Sequence, residues 1–131
     1  MADSQERLGR GLELRREVLG NGYVDNALAA ATEFTRPIQE YVTETCWGDV
    51  WSRPGLDRRT RSLVNLAMLT ALNRMTEFGA HVRGAWRNGC TEQEIQEVLL
   101  QTAAYCGAPA ALEAFRMAEK VLSELEAENR A

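Results

Sequence analysis

The stretch Arg74-Met-Thr-Glu77-Phe-Gly-Ala-His81 gathers the most chemically loaded side chains of this sequence, including its single histidine. On a helix, Arg74, Glu77 and His81 stand at i, i+3 and i+7, so one face presents a cation, a carboxylate and an imidazole together. An imidazole one turn from a carboxylate can hold and move a proton near neutral pH, and a neighbouring guanidinium can hold an anion. The same spacing also describes a core histidine satisfied by a nearby carboxylate, and the surroundings decide between the two.

Those surroundings are rich in arginine. Between positions 53 and 87 there are seven arginines (53, 58, 59, 61, 74, 83 and 87) against two acids, Asp57 and Glu77, in a chain whose net charge is −4. The planar guanidinium fork matches carboxylates, so the segment fits a small anionic substrate. The plainer alternative is a set of solvated helix faces and surface ion pairs. The chain also uses fourteen arginines to one lysine, so part of the preference is compositional. The acidic total argues against nucleic acid as a partner. Cys46, Cys90 and Cys106 form no CxxC and no metal-ligand spacing, and a single histidine does not complete a closed zinc site, so no metal is expected. An odd cysteine count without a framework fits a reducing compartment. The first residues are charged and lack the apolar run of a signal peptide. The densest apolar stretch, 63–72, is interrupted by Asn65 and Thr70 and is too short to span a bilayer. The sequence therefore reads as a cytoplasmic protein with no membrane partner.

The elements that must position these side chains read as helices throughout. With 131 residues and 45% apolar content, one compact domain over 1–131 is expected. A first helix runs from about 4 to 19 and stops at Gly20-Asn21-Gly22. A second starts near 24, is interrupted near Pro37, and continues through Tyr41 to about 46; the proline either opens a new helix or marks a kink. Residues 47–55, with Trp47, Gly48, Trp51, Pro54 and Gly55, read as irregular. Asp57 looks like the N-cap of a helix to about 73, apolar on nearly every face from 63 to 72 and hence central or shared with another subunit. The helix carrying Glu77 and His81 ends at Gly89. Thr91 and Glu94 form a capping box for a helix to about 106, and a last amphipathic helix follows Gly107 and Pro109. The class is all-α, with about six helices, in an assembly larger than a monomer.

The run Tyr41-Val-x-x-x-Cys46-Trp47-Gly48-x-Val50-Trp51-x-Arg53-Pro54-Gly55-Leu56-Asp57-x-Arg59-x-Arg61-Ser62-Leu63 resembles the decarboxylase branch of the carboxymuconolactone decarboxylase family. So do Glu77-x-x-x-His81-Val-x-Gly84-Ala85-x-x-Asn88-Gly89-x-Thr91-x-x-Glu94 and Tyr105-x-Gly107-x-Pro109-Ala110. The likeness covers nearly the whole chain. The wider AhpD-like superfamily includes alkylhydroperoxidases whose CxxCxxxH signature falls on this helix. Here the histidine is His81, but Arg74 and Glu77 stand where the cysteines would be, so thiol–disulfide chemistry has no nucleophile there.

The resemblance implies an AhpD-like helical fold, a homohexamer, and the conversion of 4-carboxymuconolactone to 3-oxoadipate enol-lactone and CO2 in the protocatechuate branch of the β-ketoadipate pathway. In that substrate the departing carboxylate is γ to the carbonyl of an unsaturated lactone. The released electrons run into the lactone oxygen, so the substrate is its own electron sink and no cofactor is needed. The enzyme must hold a dianion, stabilise the developing oxyanion and protonate the α-carbon. His81 is then the expected general acid, with a pKa near neutrality, and Glu77 orients it or passes the proton. One or more of Arg58, Arg61 and Arg74 would clamp the carboxylates or the lactone oxyanion. Tyr41, Trp47 and Trp51 would wall the pocket, although core or interface packing explains the tryptophans equally well. Two rivals stand beside this reading: a thiol peroxidase of the wider superfamily using Cys90 or Cys106, and a non-catalytic helical oligomer.

Overall fold

The computed structural model describes residues 3–130. Among them are seven α-helices and one π-helical segment, with no strand, which is the all-α class that the hydrophobic periodicity predicts. The chain divides into two compact units, one ending at Asp57 and the other beginning at Arg58.

The N-terminal unit contains α1 (Ser4–Leu19), α2 (Asn21–Ala29), α3 (Arg36–Tyr41) and the π-helical segment Val42–Val50. Asp3 caps α1 by accepting from the Glu6 backbone N–H, and Gly20 ends it at φ 92°. The next helix begins at once, at Asn21 rather than near 24. The break expected near Pro37 lies before it, after Ala30, and Pro37 occupies the first turn of α3, where its missing N–H leaves no bond unmade.

The segment expected to be irregular from 47 is instead helical through Val50, in the wider π form. Trp51 N–H bonds to the Cys46 carbonyl five residues back. Packing against α1 explains why glycine does not break it. A Cβ on Gly11 would lie 1.8 Å from the Thr43 carbonyl oxygen, and one on Gly48 would lie 2.5 Å from the Arg7 carbonyl oxygen. The glycines are where two backbones meet. Arg7 then clamps Asp49 with a two-pronged bond (3.0 and 2.8 Å), and Arg10 and Ser52 donate to the Gly48 carbonyl at 2.9 and 2.6 Å. Carbonyls displaced by the wider turn thus find side-chain donors. Trp47 and Trp51 are buried and stack on each other, with ring centroids 4.7 Å apart.

The second unit packs α4 (Arg58–Ala71), α5 (Met75–Arg87), α6 (Glu92–Cys106) and α7 (Ala108–Arg130) around one apolar centre. Leu66 of α4, Phe78 and Val82 of α5, Ile95 and Leu99 of α6 and Ala114 of α7 meet there, all within 1% of complete burial. Two turns of the same type bracket α5. At its start Asn73 sits at φ 58°, with Arg74 N–H bonded to the Leu69 carbonyl and Asn73 N–H to the Thr70 carbonyl. At its end Gly89 repeats the pattern, through Cys90 N–H to Ala85 and Gly89 N–H to Trp86. Both are Schellman closures. The expected capping box opens α6, with Thr91 N–H donating to Glu94 Oε1 (2.8 Å) and Glu94 N–H to Thr91 Oγ1 (3.1 Å).

Helix α4 is not enclosed on all sides within the chain. Val64, Met68 and Leu72 are 43%, 49% and 63% exposed, forming an i, i+4, i+8 apolar stripe. No helix among the described residues is long and apolar enough to cross a membrane.

Candidate functional site

His81 lies in the middle of α5, and the Schellman turn at Asn73 folds α5 back against α4. Phe78 and Val82 anchor the buried stripe of α5, its neighbours on the helix wheel fix the half-buried position of His81, and Glu77 falls on the exposed side. Burial lowers the pKa of the imidazole from 6.5 to about 4, because the charged form loses hydration on leaving water. The expected value near neutrality does not hold in the resting protein, where the ring is neutral at pH 7.

A polar group that faces the ring comes from α4. Asn65 Nδ2 lies 3.3 Å from His81 Nδ1 and 3.5 Å from Nε2. Nearly equal distances to both nitrogens place the amide over the ring, since an in-plane position between them would collide with Cε1. The contact holds the imidazole in place without lining up on one lone pair. Asn65 was not singled out as a site residue from the sequence, although a signal was present: it interrupts an apolar helix. Thr70, the other interruption, is satisfied by donating to the Leu66 carbonyl at 2.7 Å, whereas Asn65 reaches across to another helix.

The remaining candidates distribute as follows. Arg61 is half-buried on α4 one turn before Asn65, so it shares that helix face, and Arg58 is exposed at the start of the same helix. Arg74 is not on the helical stripe with Glu77 and His81. It is the N-cap of α5, with non-helical φ −101° and ψ 73°, and its side chain is exposed. Glu77 is in the first turn of α5, exposed, and its carboxylate makes no hydrogen bond or ion pair among the described residues, whereas the sequence pattern expects it to orient His81. Tyr41, exposed at the end of α3, and the buried Trp47–Trp51 stack belong to the N-terminal unit. Arg59 is engaged by Glu94, and Arg83 by Glu124 and Glu128.

Cys90 is buried and its thiol faces the Arg59 carbonyl at 3.5 Å, while Cys46 and Cys106 are exposed thiols. No group of three potential metal ligands occurs among the described residues. A cleft of about 700 Å³ between α6 and α7, lined by Ile95, Leu99, Phe115 and Leu122, includes Cys90 but none of His81, Glu77, Arg58, Arg61, Arg74, Tyr41, Trp47 and Trp51. Its size therefore does not make it the site. The neutral, half-buried imidazole on the α4–α5 face, with Asn65 against it and Arg61 one turn before Asn65 on α4, is a place where a proton can be held near a cation-bearing helix face.

Comparison with known proteins agrees with these elements. The chain is 49% identical over 115 residues to the nitrosuccinic acid decarboxylase npaB of Metarhizium robertsii, covering 88% of this chain and 80% of that protein. It is 42% identical over 123 residues to the 4-carboxymuconolactone decarboxylase of Acinetobacter baylyi, covering 94% and 92%. Residues 36–120, which run from the first turn of α3 into α7 and include every candidate residue on α4 and α5, match the family profile. The chain belongs to the carboxymuconolactone decarboxylase family.

Proposed function

We propose that this protein is a carboxy-lyase that removes CO2 from a small dianionic acid carrying its own electron sink, and that its substrate is 4-carboxymuconolactone, giving 3-oxoadipate enol-lactone in protocatechuate catabolism. The observation that carries the reading is a desolvated, neutral imidazole beside an arginine-bearing helix face, in a chain that is 49% and 42% identical to two decarboxylases. Loss of CO2 from the lactone sends an electron pair through the ring into the lactone oxygen. The resulting dienolate then takes one proton at its α-carbon, so each turnover consumes one proton from solvent. Arg61 and Arg58 hold the anionic groups and Arg74 stands at the entrance to α5. His81 delivers the proton. The imidazole is neutral at rest, and a dianion bound beside it raises its basicity so that substrate and proton arrive together. Glu77, solvent-facing one turn away, supplies the ring from bulk water, and Asn65 keeps the ring in place. As in the family, we expect a hexamer, covering the apolar stripe of α4.

The relative named for nitrosuccinic acid favours a second substrate. In that compound a nitro group next to a carboxylate would accept the electrons as a nitronate, and the same proton delivery to carbon would follow. The two substrates share a dianion, an internal sink and a carbanion equivalent to protonate.

The test is to supply 4-carboxymuconolactone, generated in place from carboxymuconate by its cycloisomerase, and nitrosuccinate in parallel, and to measure CO2 release by the wild type and His81→Ala. Turnover of the lactone is expected, with kcat lowered roughly 10²–10⁴-fold in the variant. Turnover of nitrosuccinate alone would move the assignment to that acid. A folded His81→Ala protein with near-normal rates would remove His81 from the chemistry.

A further inference from the structure

The N-terminal unit holds a cation that the proposed reaction does not use. Arg15, on the inner face of α1, is 6% exposed. Its Nη1 donates to Gln39 Oε1 at 2.9 Å and to Thr43 Oγ1 at 3.2 Å, both neutral acceptors, and its Nε is buried without any hydrogen-bond partner. Among the described residues no carboxylate pairs with it. Asp49 of the same unit is engaged by Arg7 and Arg10, Glu44 by Arg7 and Ser4, and Asp25 by Arg16. The groups close enough to act on it electrostatically are the Tyr23 phenol and the Cys46 thiol, and burial lowers the guanidinium pKa from its ordinary value.

A guanidinium is weakly hydrated enough to be buried, and an amide and a hydroxyl can fix the direction of its fork. They do not neutralise it, and a buried N–H left unbonded is a rare and costly arrangement in a folded protein. The residues that fix Arg15 also sit where the backbone changes form. Thr43, the second residue of the π-helical segment, donates to the Gln39 carbonyl at 2.7 Å, so the fork is built into the widened turn. Such turns concentrate at functional sites. The anion whose geometry fits a planar fork is a carboxylate.

We propose that Arg15 anchors a binding site in the N-terminal unit for a small organic carboxylate, with its unsatisfied Nε–H as the donor that the ligand completes.

Succinate serves as the probe, titrated calorimetrically at constant ionic strength into the full-length wild type, Arg15→Met and the exposed-site control Arg36→Met. Saturable binding by the wild type and the control is expected, with affinity at least tenfold weaker in Arg15→Met. In the wild type itself, the Arg15 Nε–H resonance should shift with the same saturation, which tests the site even if Arg15→Met fails to fold. No saturable binding, equal affinity in a folded Arg15→Met, or an Nε–H resonance that succinate leaves unmoved would each overturn the proposal. Succinate binding needs no turnover, so a failure of the proposed decarboxylation is seen separately.

Discussion

A single imidazole carries both the proposed chemistry and a signature in stability. His81 has a folded-state pKa of about 4 against 6.5 for an ordinary histidine. Between those values the unfolded chain binds more protons than the folded one, so stability is full above pH 6.5 and falls as pH drops toward 4. The loss attributable to this group reaches at most about 3 kcal/mol. Denaturant titrations from pH 7 to pH 4 should therefore show a steeper decline for the wild type than for His81→Gln; parallel curves would mean that the ring is not desolvated. Asn65 is the neighbour that the histidine leans on. Asn65→Ala should leave the fold intact and lower kcat about fivefold to tenfold, equivalent to about 1 kcal/mol, with the pH profile of kcat displaced because the ring loses its support. A change confined to KM would assign Asn65 to substrate contact instead.

At the level of elements, the sharpest constraint is the close approach of α1 to the π-helical segment. Gly11→Ala places a methyl group 1.8 Å from a backbone oxygen that cannot move without unwinding the segment. It should cost about 2–4 kcal/mol, at the severe end of overpacking. Two residues earlier on the same helix, a Cβ on Gly9 meets nothing within 4 Å. Gly9→Ala should accordingly stabilise the protein by about 0.5–1 kcal/mol through helix propensity alone. Thermal melts of the two variants should move in opposite directions, and matching shifts would refute the packing seen here. The sequence cannot separate these glycines, because both read as helix-interior glycines and only the partner backbone distinguishes them.

For the molecule as a whole, the apolar stripe of Val64 and Met68 on α4, continued by Leu72 just beyond its end, is at odds with an isolated chain in water. If association covers it, Met68→Glu should convert the assembly to smaller species while the secondary structure survives. Light scattering after gel filtration would report this, and an unchanged mass would place the interface elsewhere. The stripe was legible beforehand as a helix apolar on too many faces. Which of those faces the chain covers itself was not, because helical periodicity marks an apolar side and not its partner.

The sequence by itself determined the helical class, the capping box at Thr91 and Glu94, the turn at Gly89, and the nomination of His81, since each rests on local spacing or on residue types with narrow backbone preferences. The tertiary structure alone decided that residues 47–50 continue a helix and that Pro37 opens one. It also put Arg74 at a cap instead of on the face of His81, set Asn65 over the imidazole, and left Arg15 buried without a counter-ion among the described residues. These depend on which backbones approach one another and on how much water each side chain keeps. Contacts between residues far apart in sequence, and the desolvation that comes with them, leave no periodic trace in the chain.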